Sequence, residues 1–144
     1  MENTEKQDRP DTLEGLEQFH GTEQWYAWGA GMILPPLDEH LGISYPLSYT
    51  EGVKYVADKA SAYWLIDSVL AYAVAIYVNK SVDASRKRLI DCKLEVKDND
   101  SAVLTVSDGD YQPFSVEKIE YTDFPAKSVR IWVCNGVAML PSEY

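Results

Sequence analysis

From residue 90 onward, apolar and polar residues take turns along the chain. Ile90, Cys92, Leu94 and Val96 share one face of an extended segment, and Asp91, Lys93, Glu95 and Lys97 share the other. That period of two marks a half-buried strand. Asp98-Asn99-Asp100 turns the chain into residues 102–107, and Asp108-Gly109-Asp110 turns it again toward residues 114–121. Short polar side chains bond their own backbone and Gly tolerates positive φ, so such clusters favour turns. Val129, Ile131 and Val133 alternate with Arg130, Trp132 and Cys134, and Asn135-Gly136 then signals a two-residue hairpin before residues 137–140. The pattern predicts an antiparallel meander of about five strands in the C-terminal half.

Upstream the period changes. Thr50 supplies an N-cap for residues 51–58, with Glu51 in the first turn, where the helix dipole favours an acid. Residues 60–78 follow as a nearly all-apolar helix whose Trp64, Leu65, Ile66, Val69, Leu70, Val74, Ile76 and Val78 fall on every face. A helix of that kind needs cover on nearly all sides. A break near Lys59 or Ala60 makes two helices; without one there is a single long helix over about 51–78. A membrane span is the rejected alternative: Asp67 lies mid-segment, where insertion costs about 2.5–3.5 kcal/mol, and Ser61, Ser68 and three tyrosines dilute it further. The expected class is therefore α+β, with the meander packed on the helix, because an antiparallel sheet with one apolar face needs a core partner.

The N-terminal part is less regular. Residues 1–11 are charged and featureless and read as a disordered tail, leaving one domain over 12–144. Leu13, Leu16 and Phe19 recur every third position, which suits a short helical turn capped by Thr12 with Glu14 and Glu17 facing water. Residues 21–28 read as a strand or as a helix starting at Thr22. The Gly/Pro-rich stretch at about 29–47, with Asp38-Glu39-His40 inside it, reads as a long loop.

Charge narrows the partners. The chain has 144 residues and a formal charge of −10, which disfavours nucleic acid and anionic membranes and favours proteins with basic patches. The Arg86-Lys87-Arg88 cluster reads as a solvated turn. Cys92 and Cys134 read as reduced, apolar core residues, and with no apolar run near Met1 the expected location is cytoplasmic.

No nucleotide-loop, zinc-protease or nucleophile-elbow motif occurs. His20 and His40 are the only histidines and their separation does not suggest a ligand pair. No catalytic residue, metal ligand or cofactor is expected. Asp67, inside an apolar helix, must be paired, hydrogen-bonded or protonated; a link to a backbone amide, a Tyr hydroxyl or a Trp indole would lock the helix against the Trp25 segment, and the other reading is a ligand-facing carboxylate. With 17 aromatic residues, some should reach the surface as a binding patch. Glu23, Trp25, Trp28, Tyr63 and Asp67 are the candidate binding residues.

Five strings carry a resemblance: Gly21-Thr22-Glu23-Gln24-Trp25-Tyr26, Thr50-Glu51-Gly52-Val53-Lys54-Tyr55, Ala62-Tyr63-Trp64-Leu65-Ile66-Asp67, Tyr121-Thr122-Asp123-Phe124-Pro125 and Leu140-Pro141-Ser142-Glu143-Tyr144. Together they resemble a family of small bacterial, plasmid and phage proteins classed as a domain of unknown function. The resemblance implies a mobile-element setting, in which small acidic proteins block host defence complexes of the CRISPR or restriction type. Three functions follow in order. The first is a non-enzymatic inhibitor or adaptor that binds a host protein or nucleoprotein complex through an acidic, aromatic-studded surface. The second is a module that sequesters a nucleotide-like ring near Trp25, Trp28, Tyr63 and Asp67. The third is an enzyme using Glu23, Asp67 or His40.

Overall fold

Thr50 does what its position predicts: its hydroxyl accepts the Val53 amide at 3.3 Å and starts helix α1, Glu51–Ala60. The helix ends at Ser61, which takes a left-handed φ of 51°. A second helix, α2, then runs over Tyr63–Val78. The computed structural model that shows this describes residues 8–29 and 31–144. Of the expected tail, residues 1–7 lie outside the described residues. Arg9 Nε donates to the Phe124 carbonyl at 2.6 Å, and the Lys127 and Ser128 amides donate to the carbonyls of Pro10 and Asp11.

The fold is α+β. Among the described residues seven strands form one sheet: β1 (Trp25–Ala27), β2 (Ser48–Thr50), β3 (Ile90–Val96), β4 (Ala102–Asp108), β5 (Pro113–Ile119), β6 (Ser128–Cys134) and β7 (Val137–Met139). Their order is β1-β2-β7-β6-β3-β4-β5, antiparallel throughout except for β2 beside β7. The five expected strands are present, and two three-residue strands extend the sheet: β1, which settles the 21–28 segment as strand rather than helix, and β2, which has no signal of its own. Strands β3, β4 and β5 run as a meander; residues 120–127 then carry the chain back so that β6 pairs with the far side of β3. Phe124 and Ala126 are buried along that crossing. Asn135 (φ 51°) and Gly136 (φ 79°) make the β6–β7 hairpin, and a Cβ on Gly136 would sit 2.9 Å from Ile43 Cγ2.

One face of the sheet buries Ile90, Cys92, Leu94, Leu104 and Ile131 with Leu65, Val69 and Leu70 of α2 in one core. Cys92 and Cys134 are free and buried.

Four expectations need correcting. Helix α2 is not covered all round: Tyr63, Asp67, Ala71 and Ala75, four apart, form an exposed stripe. Small alanines let an otherwise apolar helix show a narrow strip to solvent. Asp67 is accordingly exposed rather than buried. The early turn is a 3-10 turn, Leu16–Gln18, that starts from Gly15 (φ 95°) rather than a helix capped by Thr12. The basic cluster is not simply solvated: Lys87 is buried with its Nζ 3.2 Å from the Tyr77 carbonyl, and Arg86 pairs with Asp108 at 2.7 Å while lying over the Phe114 ring.

Candidate binding face

Strand β5 is the last in the sheet, and alternation sends Ser115, Glu117 and Ile119 to the α2 side. The Tyr72 hydroxyl of α2 donates to Glu117 Oε1 at 2.6 Å, which ties helix to edge strand and raises the Tyr72 pKa, chiefly through that bond. Beside this tie lies a cleft of about 310 Å³ lined by Trp64, Glu117, Ile119, Tyr121, Thr122 and Asp123. Tyr121 is 70% exposed. The cleft wall at residues 121–124 is held from behind: Arg9 bonds the carbonyls of Phe124 and Thr122 and pairs with Asp100 at 2.8 Å, and the Thr122 hydroxyl accepts the Phe124 amide. Two aromatic rings and two carboxylates around one recess suit a cationic group with an apolar stem, since rings attract a cation over their faces and carboxylates complete its hydrogen bonds.

Among the candidate residues, Trp28 and Asp67 do meet. The Trp28 indole donates to Asp67 Oδ1 at 2.9 Å, and its backbone amide donates to the Leu47 carbonyl at 2.8 Å. The ring itself is buried, so it anchors the segment after β1 to α2. Tyr63, one turn before Asp67, donates to Asp58 at 2.5 Å, and that bond is the main cause raising its pKa. Lys54 bonds Asp58 at 2.7 Å and, ahead of Tyr63, holds the Asp58 pKa down. Lys54 also lies over the Tyr26 ring, which stacks on Tyr49.

Trp25 is exposed, and alternation along β1 turns it to the opposite face from Tyr26. Glu23 lines a different cleft, with His20, Thr22 and Glu51, and its amide donates to Glu51 Oε1 at 2.8 Å. His40 lies in a third, beside Tyr77, Val78 and Lys87 at the far end of α2 from Asp67. The structure thus does not gather Glu23, His40 and Asp67 into one place. Among the described residues no group of three His, Cys, Asp or Glu is placed to hold a metal ion, and no helix is long and apolar enough to cross a membrane.

A family of unknown function, DUF6876, matches residues 38–144. The chain belongs to that family. Comparison with curated proteins and with solved structures finds no match. The DUF6876 span takes in every residue that lines the α2–β5 cleft, together with Tyr63 and Asp67, whereas Glu23, Trp25 and Trp28 precede it.

Three carboxylates within the DUF6876 span are buried, Asp91, Asp108 and Glu143; Asp108 belongs to the turn read from the sequence, and the other two have no such signal. Glu143 accepts from the Thr50 hydroxyl, the Leu140 and Gly52 amides and the Thr22 hydroxyl, at 2.6 to 3.2 Å. Asp91 lies on the sheet face away from the helices, where a charged residue is expected to meet water, yet it is 3% exposed. Trp132 Nε1 and Arg130 Nε, each 2.9 Å from Asp91 Oδ1, cover it. Burial raises its pKa, against the opposing pull of Arg130. Spacing alone gave no sign of either, because both depend on neighbours distant in sequence.

Proposed function

We propose that this protein is a non-enzymatic binding protein that occupies a basic surface of another protein through the face formed by α2 and β5. The observation that carries the reading is the cleft in which Trp64 and Tyr121 stand beside Glu117 and Asp123. A lysine or arginine of the partner lays its stem against the rings and its charge between the carboxylates. The overall charge of −10 draws such a partner in from a distance and makes the encounter salt-dependent. Basic surfaces of this kind are the ones proteins use to hold nucleic acid. With the resemblance to proteins of mobile elements and phages, this supports an inhibitor of the anti-restriction or anti-CRISPR type acting on a host nucleoprotein complex.

The test is capture from host lysate at low and high salt with the wild type and with an E117Q/D123N variant. A partner retained by the wild type at low salt, lost by the variant, and released from its own nucleic acid by the wild-type protein supports the reading. Equal retention by both proteins, or retention indifferent to salt, overturns it.

A further inference from the structure

The sheet has two ends, and they differ. Strand β1 contributes three residues, whereas β5 contributes seven, Pro113–Ile119, and among the described residues β5 pairs on one side, with β4. A long edge strand presents a row of backbone donors and acceptors that another extended chain can complete. The protective features of β5 sit toward its two ends, Pro113 and the register shift opposite Val106/Ser107 near its start and Lys118 near its end, while Val116 between them is 57% exposed. An exposed β-branched residue in the middle of an edge strand fits pairing better than it fits solvation.

We infer that β5 is the docking strand for an extended segment of the partner in which basic and apolar residues alternate. The inference deepens the proposed function and rests on it. An added strand continues the pleat of β5, so every second side chain falls on the α2 side next to Ser115, Glu117 or Ile119, and the others fall next to Val116 and Lys118. A lysine or arginine directly opposite Glu117 then enters the recess between Trp64, Tyr121 and Asp123, because cross-strand neighbours stand only about 4.5–5.5 Å apart at Cβ. On the other face Lys118 rejects a second basic residue and Val116 accepts an apolar one. Backbone pairing supplies affinity, and the alternation supplies specificity.

The recess is formed before the partner arrives. The Arg9 contacts to Phe124, Thr122 and Asp100 fix one wall, and the bond from Tyr72 to Glu117 fixes the other. Little ordering is therefore left to the binding step.

The experiment titrates the whole protein with three synthetic peptides of one composition. The first alternates Lys and Val. The second carries the same sequence with backbone N-methyl groups on alternate residues of its pairing edge. The third has its lysines blocked together. Calorimetry gives affinity, and amide hydrogen exchange reads β5. The expected result is at least tenfold weaker binding of the N-methylated and blocked peptides, with new protection confined to β5 amides in the alternating complex. An E117Q variant that keeps the wild-type circular dichroism spectrum should bind the alternating peptide more weakly. Equal binding of the alternating and N-methylated peptides without β5 protection overturns strand addition and leaves the acidic cleft standing. Failure of all three peptides to bind overturns both.

Discussion

The Thr50 hydroxyl donates to Glu143 Oε1 at 2.6 Å across 93 positions of sequence, while its oxygen also caps α1. The same carboxylate receives the Gly52 amide at 3.2 Å, so a negative charge sits at the positive end of the α1 dipole. Gly52 is required by this closeness: a Cβ there would stand 2.5 Å from Glu143 Oε1.

Glu143→Gln keeps the side-chain shape but turns one acceptor into a donor that faces another donor. It should cost about 1–3 kcal/mol of stability, and Glu143→Ala more, since several buried donors then lose their partner. Gly52→Ala should act in the same direction by displacing the carboxylate. Urea unfolding of the three variants measures this; unchanged midpoints would mean that the hub contributes nothing.

A second prediction concerns Trp28 and Asp67. Their bond joins an exposed carboxylate to a buried indole, so water replaces much of the carboxylate's loss while the indole N–H is left without a partner. Asp67→Ala should cost about 0.5–1 kcal/mol and Trp28→Phe more, with a coupling near 0.5 kcal/mol in a double-mutant cycle. A coupling of zero would mean that the bond does not hold the segment after β1.

How much of this was legible follows from what each signal measures. Strands β3 to β7, the cap at Thr50 and the turn at Asn135-Gly136 were readable because alternation, capping and turn chemistry are local. Strands β1 and β2 have three residues each and owe their extension to pairing with one another and with β7. The sequence leaves a backbone amide, a Tyr hydroxyl and a Trp indole open as partners of Asp67, and the structure selects the indole of Trp28. The exposure of Asp67 follows from the stripe it shares with Ala71 and Ala75, which the apolar content of the helix as a whole does not reveal. The cleft takes Trp64 rather than the candidate Tyr63 from α2 and is completed by Tyr121 and Asp123, which reach α2 only because residues 120–127 cross from β5 to β6. No period in the sequence encodes that crossing.

Acid stability gives a third prediction. Arg86 Nε lies 2.7 Å from Asp108 Oδ2, and this partner, helped by the Gln112 and Asp110 amides, holds the Asp108 pKa below its usual value. A depressed carboxylate contributes stability above its unfolded pKa and loses it as pH falls through the folded one. The wild type should therefore be more stable than Arg86→Ala at neutral pH, and the gap should close as the pH drops below about 4. Thermal melts of both proteins over that range check it; a constant gap would assign the effect to the stacking of Arg86 on Phe114 instead.

Asp91 should behave with the opposite sign. It is faced by Ser107 across β4 and Trp132 across β6, with Arg130 at 2.9 Å and Lys93 further along its own strand. Burial nevertheless outweighs these partners and raises its pKa. Between the unfolded and folded values the native state then holds more protons than the unfolded one, so stability falls as pH rises through that window. Asp91→Asn has no proton to lose there. The wild-type-minus-variant stability difference should therefore decline from pH 4 upward and level off once Asp91 is fully ionised. Because Asp108 and Asp91 pull in opposite directions over neighbouring pH ranges, the melting curve of the wild type alone can look flat while both contributions are present. Only the difference against each single variant separates them, and a difference for Asp91→Asn that rises with pH would show that Arg130 and Trp132, not burial, set the state of this carboxylate.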